Sequence, residues 1–96
     1  MSEAIEAVVH FKVTVRSVEH DGYWTTKALE TGIVTAGPTR DEAEARNGKA
    51  HVLLVRRVKR LGLIALAEFM DAHGIDYEIG DPALANRSAE QLPLAA

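Results

Sequence analysis

Ninety-six residues, 47% of them hydrophobic and 26% charged, suffice for one small folded domain and argue against a wholly disordered chain. With no cysteine, disulfide frameworks, cysteine nucleophiles and thiolate zinc sites are excluded, and no apolar run approaches the ~20 residues that cross a bilayer, so no membrane partner is expected. The net charge of −3 conceals a segregation: residues 1–45 sum to −4, residues 46–60 to +6 and residues 61–96 to −5.

Residues 8–18 alternate, with Val9, Phe11, Val13 and Val15 on one side and His10, Lys12, Thr14 and Arg16 on the other. Period two with β-branched residues predicts one half-buried strand. Asp21-Gly22 supplies the positive backbone angles of a tight hairpin. Residues 23–29 form a second strand with Tyr, Trp and two Thr at its start. Glu30-Thr31-Gly32 turns the chain again, and residues 33–36 make a short third strand stopped by Gly37-Pro38.

Thr39 and Glu42 have the spacing of a capping box, in which each side chain bonds the other residue's amide. Asp41, Glu42 and Glu44 suit the positive end of the helix dipole. The helix is predicted to run to about Leu61, with Ala43, Asn47, Ala50, Leu54, Val58 and Leu61 as the stripe that lies on the sheet. Gly62 interrupts it. Residues 63–72 form a second amphipathic stretch with Leu63, Leu66, Ala67 and Met70 on one side, closed by His73-Gly74. Residues 75–79 alternate as a fourth strand, ended by Gly80-Asp81-Pro82. The Ala-rich remainder, with Pro93, reads as a frayed tail.

The order β-β-β-α-(α)-β predicts an α+β, two-layer domain over residues 1–80: a mainly antiparallel sheet with helices on one face. Residues 81–96 are expected to be poorly ordered. Arriving after a helical crossover, the fourth strand can lie parallel to a neighbour.

The segment Glu19-His20-Asp21-Gly22-Tyr23, followed by the run of residues 31–45, resembles the HicB-like antitoxin family. Gly32, Thr35, Gly37, Thr39, Glu42 and Ala43 stand in the order of that family's Gly-x-x-Thr-x-Gly-x-Thr-x-x-Glu-Ala run. The amphipathic stretch from residue 63, closed by His73-Gly74-Ile75-Asp76-Tyr77, is similar to longer members, so the likeness spans residues 8–79. It implies a partial ribonuclease-H-like fold. It also implies an antitoxin that binds and occludes a small basic RNA-cleaving protein, a HicA-type toxin, without itself being an enzyme. Residues 80–96 are too short and too rich in Pro and Ala for the ribbon-helix-helix or helix-turn-helix segment of many members, so operator-DNA binding is not carried over. The motif covers turns that define the fold and transfers no partner-binding residue.

Two-metal phosphate chemistry needs several carboxylates converging on ions roughly 3.5–4 Å apart. The candidates Glu6, Glu19 and Asp21 do not meet that requirement, because Glu19 and Asp21 flank a turn where acids are ordinarily solvated. His10, His20, His51 and His73 lack metal-ligand spacing and read as structural or surface residues, His73 as a cation at a helix end. Ser2, Ser17 and Ser88 have no nucleophile-elbow context, and the glycines make no phosphate loop. No cofactor and no metal site is expected.

Interaction surfaces are therefore the expectation. Glu19, Asp21 and Glu30 are the candidate toxin-facing acids. Arg46, Lys49, Arg56, Arg57 and Arg60 fall within about 100° of helix arc and form a basic stripe. It could follow phosphates, making a nucleic-acid-binding module the alternative function, or bind acidic residues of a second copy. The overall acidity and the scarcity of aromatics weigh against nucleic acid. Val52 and Val55 point away from the predicted stripe, and only one of Tyr23 and Trp24 can face the helices. Trp24, Val52 and Val55 are thus candidate contacts of a homo-oligomer, a dimer or larger, closing through a sheet edge. Otherwise the second helix folds back over the two valines. The acidic start, Met1-Ser2-Glu3, lacks the basic-then-apolar order of a signal peptide, which gives a cytoplasmic protein as the expectation.

Overall fold

The computed structural model describes residues 8–80 and 92–96. The described elements are β1 (Val8–Val13), β2 (Val15–His20), β3 (Tyr23–Ala28), β4 (Val34–Gly37), α1 (Arg40–Lys59), α2 (Leu63–His73), β5 (Asp76–Gly80) and β6 (Leu92–Ala95). They form an α+β fold with two three-stranded sheets, both wholly antiparallel. In the hairpin sheet, β3 lies between β2 and β4. In the core sheet, β1 lies between β5 and β6.

Local chemistry accounts for the element ends. Thr39 is the N-cap of α1, and its hydroxyl accepts from the Glu42 amide at 3.1 Å, one half of the predicted capping box. Gly62 holds φ at 111° between the helices, a conformation that side chains disfavour, so the helix breaks there. Gly74 closes α2 in the left-handed region, as the His73-Gly74 pair predicts.

Two differences from the predicted sheet have clear causes. The single strand expected over residues 8–18 divides at Thr14, and its halves join different sheets. The Thr14 amide donates to the Glu30 carboxylate at 2.8 Å rather than to a neighbouring strand, and the Thr14 carbonyl accepts from Leu29 at 2.8 Å. The fourth strand lies antiparallel to β1 rather than parallel to a neighbour, because α2 reverses the chain once more before β5 begins. A third difference lies in the expected frayed tail: residues 92–95 form β6 against β1, with Val9 and Ala96 exchanging both backbone hydrogen bonds at 2.7 and 2.8 Å. Residues 1–7 and 81–91, including Ser2, Glu6 and Ser88, lie outside the described residues.

The apolar core sits between β1, the C-terminal half of α1 and α2. Val9, Phe11, Val13, Val55, Leu66, Met70 and Ile75 are buried together. Burial of such side chains contributes about 1.5–3 kcal/mol each. The inward stripe of α1 is Ala43, Asn47, His51 and Val55, rotated from the predicted stripe, and Leu61 at the expected end of that stripe is exposed. Leu66 and Met70 of α2 point inward as predicted, whereas Leu63 faces out.

Where β4 passes into α1 the backbones nearly touch. A Cβ at Gly37 would stand 2.8 Å from the Ala43 amide nitrogen. Gly37→Ala is therefore expected to lower stability by about 1–3 kcal/mol, the usual cost of overpacking, read as a lower urea midpoint with unchanged slope.

Candidate functional site

The three acids expected to face a toxin are not brought together. Glu19 and Asp21 are exposed beside the β2–β3 turn. Glu30 follows β3 at its other end, about 20 Å away for a six-residue strand. Its carboxylate is half-buried and engaged inside the molecule: the Thr14 amide donates to Oε1, and the Thr14 hydroxyl donates to Oε2 at 2.9 Å. Glu30 thus holds the point where the chain passes between sheets.

The most structured polar region lies between α1 and the hairpin sheet. Asn47 is fully buried, and its Nδ2 donates to the carbonyls of Thr26 and Ile33, each at 3.0 Å. That fixes the amide orientation, since the opposite one would set oxygen against two carbonyls. Its Oδ1 has no hydrogen-bond partner. One turn on, the buried His51 ring lies 2.8 Å from the Asn47 carbonyl through Nδ1 and 2.8 Å from the Thr31 hydroxyl through Nε2. A carbonyl can only accept, so Nδ1 carries a proton and donates to Asn47, while Nε2 shares a hydrogen bond with the Thr31 hydroxyl. The Thr31 oxygen accepts in turn from the Ile33 amide at 3.3 Å. This places His51 in a structural role.

A second chain of bonds runs beside it. Arg40 pairs with Glu44 at 3.0 Å, and the Ser17 hydroxyl donates to Glu44 Oε2 at 2.8 Å. The Ser17 oxygen therefore takes its other bond from the Thr26 hydroxyl, also at 2.8 Å. Burial pushes the Glu44 carboxyl up, but the bonds from Ser17 and Arg40 and the Arg40 charge outweigh it and hold it below 4.5. Ser17 is thus a link in a structural chain, and Glu44, expected only to complement the helix dipole, bonds across to the hairpin sheet.

The basic stripe is not uniform. Arg46 donates to the Ala36 carbonyl of β4 at 2.7 Å, which occupies an acceptor on a strand at the end of its sheet. Lys49, Arg56, Arg57 and Arg60 are exposed on the outer side of α1, and Leu53 and Leu54 join Arg56, Arg57 and Arg60 in lining a shallow, open depression. The valines expected at an oligomer contact lie elsewhere. Val55 is in the core and Val52 packs against it, because α2 folds back over them. Trp24 is half-buried on the same face of β3 as buried Thr26 and Ala28, and Tyr23 takes the opposite face.

The remaining histidines have local partners. His20 contacts the Thr25 hydroxyl at 2.8 Å and stacks on Tyr23 with ring centroids 4.7 Å apart. His73 bonds the Phe69 carbonyl at 2.9 Å at the end of α2, and His10 lies across from Glu78 on β1. Among the described residues no three His, Asp or Glu side chains are grouped to hold a metal ion, and no helix is long and apolar enough to cross a membrane.

Five of the residues that carry the family resemblance meet at the β4–α1 joint, while Gly32 and the Glu19–Tyr23 segment lie at separate turns. Thr35 donates from its hydroxyl to the Ala43 carbonyl at 2.8 Å, Gly37 admits the Ala43 amide, and Thr39 caps the helix at Glu42. Compared with protein-family models, curated proteins and solved structures, the chain matches none.

Two outcomes follow from these bonds. Glu30→Ala leaves the Thr14 amide without its partner and is expected to cost about 1–3 kcal/mol, measured by chemical denaturation. Glu44→Gln keeps an acceptor for Ser17 but removes the charge. Because the folded carboxyl sits below its ordinary 4.5, its stabilisation is complete above that value and is lost as pH falls through the folded one. The stability gap to wild type is expected at neutral pH, at about 1 kcal/mol or less for so open an ion pair, and should close in acid.

Proposed function

We propose that the protein is a HicB-like antitoxin or a solitary relative, a non-enzymatic binding protein that occludes a small basic RNA-cleaving toxin of the HicA type. The observation that carries this reading is the β4–α1 joint. Thr35, Gly37, Thr39, Glu42 and Ala43 are individually ordinary, yet here they form one set of interlocking contacts. A sequence run whose members depend on one another is a more specific likeness than the same residues scattered over unrelated turns.

Of the three candidate acids, Glu19 and Asp21 are open to a basic partner, both being exposed beside the β2–β3 turn. Attraction of this kind accelerates encounter and selects orientation more than it deepens affinity. Inhibition then follows from covering the toxin's RNA-binding surface. Glu30 takes no part, its carboxylate being committed to Thr14.

The test is the adjacent reading frame, which on this reading encodes a small basic protein that the chain neutralises. Co-expression should relieve its growth arrest, and the two proteins should co-elute as a complex. Glu19→Ala/Asp21→Ala should slow association about tenfold at low salt with a smaller change in dissociation. Absence of any complex with that neighbour would defeat the antitoxin reading. An association rate unchanged in the double variant would remove the hairpin from it.

A further inference from the structure

We propose that the outer faces of α1 and α2 form a self-complementary surface on which a second copy of this chain docks about a two-fold axis. The first observation is exposure of large aliphatic groups on the second half of α1 and at the corner that follows it. Leu53 is 55% exposed, Leu61 75% and Ile64 78%. None is needed by the core, and exposed aliphatic groups on both of two neighbouring helices suit a contact surface.

The second observation is charge. Along the outer side of α1, Leu53 is followed by Arg56 and Arg60 at intervals of three and four residues, all exposed. Along the outer side of α2, Ile64 is followed by Glu68 and Asp71 at intervals of four and three, again all exposed. Each helix therefore presents an aliphatic group continued by charges of one sign, and the two signs are opposite.

A two-fold contact brings the same patch from both copies together, so each interaction is made twice. Laying α1 of one copy along α2 of the other sets Arg56 and Arg60 toward Glu68 and Asp71. The rotation axis repeats the arrangement on the other side, with the aliphatic groups gathered between. The favoured occupant is a second copy because the chain itself supplies the acids. A basic toxin has no affinity for Arg56 and Arg60, so this surface is independent of the proposed function, and its failure leaves that reading intact.

The experiment uses the full-length protein in sedimentation equilibrium over a wide concentration range. Wild type should have the mass of two chains. Arg56→Glu/Arg60→Glu should weaken dimerisation at least about tenfold, and Glu68→Arg/Asp71→Arg should do the same. All four residues are exposed, so circular dichroism should show both variants folded. Mixing the two variants should restore dimers, because at these four positions one then carries only acids and the other only bases. A chain with all four substitutions should dimerise by itself. Monomeric wild type overturns the proposal, whether or not it sediments with phosphatidylserine vesicles, and a vesicle-bound monomer would assign the corner to an anionic lipid surface instead. Variants that dimerise as wild type does, or a mixture that stays monomeric, also overturn it.

Discussion

The Asn47 side chain determines how α1 sits. By donating to carbonyls of β3 and of the turn before β4, it ties a helix to a sheet through two bonds of fixed direction. Apolar contacts would tolerate a small rotation of the helix; two hydrogen bonds inside a buried space do not, since a turn of a few tens of degrees would break both and leave the buried amide without acceptors. His51 and Thr31 extend the constraint by one helical turn. With this half of α1 fixed, Val55 must enter the core and Leu53 must leave it.

Helix α1 thus does different work along its length. Its first half meets the hairpin sheet through polar groups, including the Glu44–Ser17–Thr26 chain. Its second half meets β1 and α2 through aliphatic ones. The division matches the two small sheets: the surface beneath the first half is satisfied by directional bonds, that beneath the second by close packing. It also separates the charged surfaces, acids at the β2–β3 turn and bases along the outer side of α1.

Much of the chain order was legible because turns and caps announce themselves locally. Asp21-Gly22, Thr39 with Glu42, and His73-Gly74 each act where the sequence places them. The helix stripe was less legible for a specific reason. Hydrophobicity ranks Leu54 and Leu61 above His51, yet His51 is buried because both ring nitrogens have partners, and such partners are visible only once distant segments meet. The break at Thr14 was hidden in the same way. Nothing in an alternating run of residues shows that a carboxylate sixteen positions later will take its amide. The fate of Val52 and Val55 depended on where α2 folds, which periodicity leaves open. Residues 92–95 contain a proline and few polar cues, and only β1 opposite them makes them a strand.

The position of β1 between β5 and β6 has a kinetic consequence. The hairpin sheet joins neighbours in the chain, so its ladders close short loops as soon as residues 15–37 are present. β1 must instead await segments that follow it by more than half the chain, with a correspondingly larger entropy of closure. During synthesis the strand at the centre of the core sheet therefore waits longer than the hairpin strands for its neighbours, its backbone groups open to water until β5 and β6 have been made.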